Sequence, residues 1–260
     1  MTGELTIFGG NGTALSEVQQ SILAEMKSEA ERHAFEFSPT RIKLPAGGLM
    51  VFTTSDGDTL QPFTGVIAVA QMARAYWPTK TSSGAPPLCS SPDSMQGWLA
   101  DAPPQEQVQE ALRQVAVHPG IAYAEDYKGP FECSTCALSA WGTGSGRGQA
   151  CKTLRRLLVL VEGWTAPAVL TLPPTSCKVF DTFASARASR GGRAYFSCKT
   201  RFELEKKTNG QGIAYSVIKL SAAGELTDQE QAAVLGIRAR YAELVRTMEI
   251  EAAEYEEIPA

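Results

Sequence analysis

Residues 133–152 read CSTCALSAWGTGSGRGQACK. Cys133 and Cys136 form a C-x-x-C knuckle, a spacing that lets two thiolates reach one ion through a tight turn. A Gly/Ser-rich loop carrying Trp141 and Arg147 follows. Cys151 then opens the basic run Lys152-Thr153-Leu154-Arg155-Arg156. The loop from Cys136 to Cys151 has the length common in zinc ribbons. Upstream, Cys89 in PPLCSSPDSMQG can supply a fourth thiolate, although residues 90–132 separate it from Cys133, so those two must meet through the fold. The expected cofactor is one structural zinc ion on Cys89, Cys133, Cys136 and Cys151, since four thiolates leave no open coordination position. Cys177, Cys198 and His118 compete for the fourth place. Cys177 and Cys198 fall in expected helix and strand positions, where a cysteine reads as a small buried apolar residue.

Around this centre the pattern is mostly β. RIKLP and LMVFTT, from Arg41 onward, are short β-type runs, and FTGVIAVAQMARAYW, residues 63–77, is a long one. LRRLLVLVEG and APAVLTLPP make a hairpin with Trp164 in its turn. AYFSCKTRFELEKK and GIAYSVIKLSA make another, joined by Lys207-Thr208-Asn209-Gly210. A helix capped by Ser176 and running to about Arg190 is expected between the hairpins. Leu15–His33 and Gln105–Val117 also read as helical. Thr227-Asp228-Gln229-Glu230 is a capping box opening a last helix, with Val234, Ile237, Tyr241, Leu244 and Met248 on one stripe. Residues 78–107, rich in Pro, Ser, Gly and Asp, are too long a connection to lack a purpose, and a tether through Cys89 supplies one.

The fold class expected is mainly β with α: an OB-like Greek-key β-barrel with a zinc-stapled loop insertion and flanking N- and C-terminal helices. The expected division is 1–40 for an N-terminal tail and helix, 41–221 for the barrel with its insertion at about 78–151, and 222–260 for the C-terminal helix and a frayed acidic tail.

Composition is that of an ordinary globular chain, 43% apolar and 20% charged over 260 residues. MTGELTIFGG lacks the basic start and apolar run of an export signal, and no apolar run reaches membrane-spanning length, so the expectation is cytoplasmic, with no membrane partner. The formal net charge of -4 conceals a partition. Residues 1–146 carry 8 Lys/Arg against 15 Asp/Glu, residues 147–219 carry 13 against 4, and residues 220–260 carry 3 against 9. A basic middle between acidic flanks points to a polyanion-binding face that the flanks could screen.

Single-strand binders combine a basic groove with aromatics on which bases stack. The candidates for nucleic-acid binding are Tyr76, Trp77, Trp141, Arg147, Lys152, Arg155, Arg156, Tyr195, Lys199 and Arg201. In AYFSCKTRFELE, Tyr195, Lys199 and Arg201 alternate with core-facing Phe196, Cys198 and Phe202. Arg155 and Arg156 point to opposite faces, so at most one can share a groove with Lys199. Lys152 and Arg147 would also offset thiolate charge.

Catalysis is not expected. A zinc deaminase needs H-x-E ahead of P-C-x-x-C, whereas Pro119-Gly120 follow His118. The glycine-rich loop lacks the G-K-[ST] of a phosphate-binding loop, and no Ser-His-Asp set or H-E-x-x-H occurs.

The strings AYWPTKTSSGAPPLCSSPDSMQG, CSTCALSAWGTGSGRGQACKTLRRLLVL, LTLPPTS and KTRFELEKKTNGQGIAYSVIKL resemble a family of bacteriophage and prophage proteins with a four-cysteine zinc motif. The resemblance covers most of residues 41–221 and is similar in general plan to phage OB-fold single-stranded DNA-binding proteins. It implies a non-catalytic role in DNA replication or recombination in a bacterial cytoplasm. By the same likeness the acidic C-terminal region would recruit a replication or recombination protein, and a homo-oligomer is allowed. The alternative is a zinc-stabilised protein–protein interaction module acting on a host or CRISPR-type nucleoprotein complex.

Overall fold

The longest strand, β4 (Phe63–Tyr76), runs antiparallel to β8 (Cys151–Val161) along nearly its whole length, from Gly65 opposite Val161 to Tyr76 opposite Cys151. The computed structural model describes residues 39–45, 47–78, 86–101, 105–110, 129–144, 148–210, 212–251 and 254. The expected N-terminal helix, His118 and Arg147 lie outside them, as does residues 111–117 of the helix expected from Gln105; residues 105–110 are helical.

From β8 the sheet continues to β9 (Ala168–Leu172), then in parallel to β1 (Arg41–Lys43), then to β2 (Phe52–Thr54) and β3 (Thr59–Leu60). The other edge of β4 forks. Phe63, Thr64 and Gly65 pair with β10 (Cys198–Thr208), which pairs in turn with β11 (Ala214–Glu225). Arg74, Ala75 and Tyr76 pair instead with β5 (Cys89–Ser91), followed by β6 (Gln96–Leu99) and β7 (Phe131–Glu132).

The two central strands are apolar on both faces because helices cover both. Leu157, Leu158, Val159, Leu160 and Val161 of β8 are all buried, the run expected of a strand without a solvent face. On one face α1 (Pro174–Ser189) brings Phe180 onto Ile67, Leu157, Val159 and Phe202. On the other, α2 (Asp228–Thr247) brings Val234, Ile237 and Val245 onto Val66, Val69, Leu158 and Leu160. Phe63 stacks on Phe202 at 4.6 Å between ring centroids, a contact worth about 0.5–1.5 kcal/mol beyond area burial.

A bulge between Ile67 and Val69 interrupts the β4–β8 register. The extra residue changes which face each later side chain meets. Ile67 lies in the α1-side core, and Val66, Ala68 and Val69 lie on the α2 side. Beyond the bulge, even-numbered Arg74 and Tyr76 follow the α1 face, while Ala73, Ala75 and Trp77 cluster with Leu154 and Ile250 on the α2 face. Arg238 of α2 donates to the Ala68 carbonyl at the bulge.

Several local expectations hold. The Thr227–Glu230 capping box is formed, and β10, β11 and the β8–β9 hairpin lie where the alternation puts them. Others need correction. The described strands form an open sheet, and no ladder among them closes the OB-like barrel. Ser216 of β11 donates to the Leu49 carbonyl before β2 without forming a strand pair. Pro173, not Ser176, stands at the N-cap of α1; Ser176 is buried and its hydroxyl accepts from the Ile218 amide. On α2, Val245 takes the buried place expected of Leu244, which is exposed. Tyr195 lies in a short 3-10 turn ahead of β10, so it does not continue the Lys199–Arg201 row.

Glu254, in the C-terminal part, is buried against the sheet. Arg156, fully buried, donates to the Met248 and Glu249 carbonyls at 2.6 and 3.0 Å and pairs with Glu254 at 3.2 Å. Arg41 meets the same carboxylate at 2.9 Å, and Thr171 donates to it at 2.7 Å. Removing one member of such a network leaves buried charge uncompensated. Glu254→Ala should therefore lower stability by about 3–5 kcal/mol. Glu243→Ala, which breaks an exposed pair with Arg246, should cost less than about 1 kcal/mol. Urea unfolding of both variants measures the contrast, and equal losses would contradict it.

Candidate metal centre

Tyr76 ends β4 between two cysteines. Cys151 of β8 stands opposite it on one side and Cys89 of β5 on the other. Residues directly opposite in neighbouring strands project to the same face, so Cys89 and Cys151 flank Tyr76 on the α1 side of the sheet. Leu99 of β6 extends this row, and Gly97 lies two residues before it on the same face.

The third and fourth sulfurs arrive through β7. The Cys133 amide donates to the Met95 carbonyl at 2.9 Å, continuing the β6–β7 pairing into the knuckle. Ser139 closes the knuckle, its hydroxyl reaching the Cys133 and Cys136 carbonyls at 3.2 and 2.7 Å. Downstream, Gln149 donates to the Ser139 carbonyl and the Thr143 hydroxyl accepts from the Ala150 amide. The glycine-rich loop is hydrogen-bonded in its described part, with the Gly142 and Gly144 amides both donating to the Gly148 carbonyl.

Gly97 makes room for the cluster. A Cβ there would lie 2.9 Å from the Cys89 sulfur and 3.7 Å from that of Cys133, so any larger residue would enter the space the two sulfurs share. All four cysteines are close enough that the charge of each would act on the others. Burial, followed by the charges of Cys151, Cys133 and Cys136, pushes the Cys89 thiol far up. Burial and the Cys136 charge push Cys151 up to about 12, against the pull of Arg74. Burial also raises Cys133, opposed by a hydrogen bond from Ser91 and the Arg74 charge. Among the described residues, no three or more His, Cys, Asp or Glu side chains stand in a finished ligand arrangement.

The donor set suits zinc. Four thiolates repel one another when buried, and a divalent cation at about 2.3 Å from each reverses that repulsion. Arg74 adds a fixed positive charge, and its Nη1 is buried without a hydrogen-bond partner. Arg74, which the sequence reading passed over, does what was expected of Lys152. Lys152 pairs with Ala75 on the opposite face from Cys151. Cys177 and Cys198 are elsewhere, their sulfurs bound to the carbonyls of Thr153 and Leu172 and of Tyr195.

The expected nucleic-acid residues divide sharply. Tyr76, Trp77 and Arg156 are buried in the sheet, so none can meet a base or a phosphate. Arg155 is held by Asp181 at 2.6 Å and lies against Phe180. Tyr195 packs edge-on against Phe180 and Phe196, and its hydroxyl meets Arg238 at 3.0 Å. Lys199 pairs with Glu162 at 3.6 Å, and Lys219 with Glu203 at 3.2 Å on the same strand pair, so the β10–β11 face alternates in charge rather than forming a cationic groove. Arg201 is half-buried in that row. Trp141 is 79% exposed.

A further exposed aromatic, Trp98 on β6, was not singled out from sequence. It belongs to a row crossing four strands, Lys152–Ala75–Ser90–Trp98, on the face opposite the cysteines. Its 50% exposure on a strand of alternating burial was a signal available only once that strand was recognised. No family model, curated protein or solved structure matches the chain.

The metal reading has a direct check. Elemental analysis should find one zinc per chain, lost in Cys89→Ser, Cys133→Ser, Cys136→Ser, Cys151→Ser and Gly97→Val, and retained in Cys177→Ser and Cys198→Ser. Because the raised thiols of Cys89, Cys133 and Cys151 hold their protons when metal-free, zinc capture must release protons. Affinity measured against a chromophoric chelator should therefore rise between about pH 6 and pH 8; a pH-independent affinity would argue against thiolate ligation.

Proposed function

We propose that this protein is a non-catalytic single-stranded nucleic-acid-binding protein whose binding face is organised by a zinc ion on Cys89, Cys133, Cys136 and Cys151. The observation that carries this reading is the pair of exposed tryptophans, Trp98 on β6 and Trp141 after the knuckle, on segments that neighbour the cysteines in the chain or the sheet. Trp98 directly follows Gly97, and Trp141 lies just beyond the knuckle. Exposed indoles cost solvation in a free protein, and base stacking on each would be worth about 1–3 kcal/mol. The knuckle ties both Trp-bearing segments to the end of β4, so a bound zinc would limit the entropy lost when a strand docks. Lys152, in the same row as Trp98, would offer a cation roughly 14 Å away across three strand spacings. DNA is favoured over RNA only through the resemblance to bacteriophage proteins, which would place the activity in replication or recombination. The Lys199–Arg201 row lies at the other end of β4, with α2 packed over Val66 and Val69 between them, so the proposed face is the tryptophan end alone.

A protein–protein module is the second reading. Met95 beside Trp98 is 66% exposed, and an apolar patch rimming a zinc knuckle also suits a protein partner. Glu251 and Glu254 of the acidic segment are engaged internally by Arg41 and Arg156, so a recruiting role would fall to other acidic residues.

Titration with oligo-dT should quench tryptophan fluorescence, with affinity falling steeply as salt rises. Trp98→Ala and Trp141→Ala should each weaken binding by about tenfold or more. Absence of quenching at low salt in the zinc-loaded protein would reject the nucleic-acid reading and leave the interaction module.

A further inference from the structure

At the end of the sheet remote from Cys89, Cys133, Cys136 and Cys151, α1 finishes among three arginines. Arg187 on its last turn, Arg190 at its C-cap and Arg193 just beyond line a cavity of about 490 Å³ together with Phe183, Ala186, Gly191 and Ala222. A helix C-terminus accommodates a cation, because its free carbonyls carry partial negative charge. Three exceed that need. One carboxylate, Glu225 at the end of β11, is shared between two of them: Arg187 reaches it with both terminal nitrogens at 2.5 and 2.7 Å, and Arg193 at 3.1 Å. Arg190 makes no side-chain ion pair or hydrogen bond among the described residues, and Arg187 Nε is buried without a partner. Among the described residues, the three arginines that line the cavity therefore exceed by two the one carboxylate paired with them.

We infer that this cavity binds a phosphate group carried by a nucleotide or by a polynucleotide backbone. Guanidinium forks match the geometry of phosphate oxygens, and Arg187 is already held in place by Glu225 and by Ser197 at 3.4 Å, so little ordering is lost on binding. The volume suits a mononucleotide-sized ligand. Phe183 and Ala222 supply an apolar wall for a sugar or base beside the charged rim. None of Cys89, Cys133, Cys136 and Cys151 and no exposed tryptophan lines the cavity, so it stands independently of the proposed zinc-organised face.

The test is calorimetric titration of the full-length protein at low salt with inorganic pyrophosphate, dTMP and oligo-dT, repeated on Arg190→Ala and Arg190→Glu. Arg190 is exposed and unpaired, so both variants should keep the parent melting temperature. Pyrophosphate should bind the parent, weaken about tenfold in Arg190→Ala and be lost in Arg190→Glu. If oligo-dT affinity falls in parallel, the phosphate is that of a polynucleotide; if only pyrophosphate and dTMP are affected, it is that of a free nucleotide. No pyrophosphate binding to the parent, or equal binding to all three proteins, overturns the inference. The Trp98→Ala and Trp141→Ala proteins should bind pyrophosphate normally, so failure of the tryptophan face and failure of this cavity are read separately.

Discussion

The antiparallel ladder between β4 and β8 is the constraint on which the rest of the molecule depends. It is apolar on both faces, so it demands cover on both, and α1 and α2 supply it. The same ladder ends with Tyr76 opposite Cys151, and β5 then sets Cys89 on the other side of Tyr76. Core and cysteine cluster are two ends of one pairing. Slipping its register by one residue would turn Cys151 away from Cys89 and move each leucine of β8 from the core under one helix to the core under the other.

The bulge at Ala68 is the second element of that constraint. Without the extra residue, Trp77 would share the face of Ile67 and meet the cysteines, and Arg74 and Tyr76 would point toward α2. With it, Arg74 lies among the sulfurs and Trp77 packs beside Ile250. The bulge is held from outside the strand by Arg238, whose guanidinium also lies 4.0 Å over the Phe196 ring. A residue on the last helix thus helps set the parity of a strand end that carries the candidate metal site.

Charge is partitioned along the chain but largely matched in space. Glu251 and Glu254 from the acidic C-terminal part answer Arg41 and Arg156, and Glu225 answers Arg187 and Arg193. Within the basic segment, Asp181 holds Arg155, and Glu162 meets Lys199. Among the described residues, three arginines at the α1 C-terminus share one carboxylate, Glu225. A polyanion would meet this surface at particular points rather than along a continuous stripe.

Local chemistry alone was enough to locate much of this. Alternation in residues 198–220, the apolar run of β8 and the Thr227 capping box are short-range signals, and each element formed where its pattern lay. The C-x-x-C knuckle and the lone Cys89 stood out in the sequence by residue type and spacing, but that their sulfurs share one neighbourhood with that of Cys151 is a property of the fold. What alternation cannot carry is partner choice. Whether the sheet closes, which strand edge meets which, and how the bulge resets every later side chain of β4 depend on long-range pairing. For that reason Tyr76, Trp77 and Arg156, amphipathic or charged and so read as surface, lie in the interior, where the ladder and Glu254 give them partners. For the same reason Trp98, Arg74 and the arginine cavity emerged only when distant segments were brought side by side.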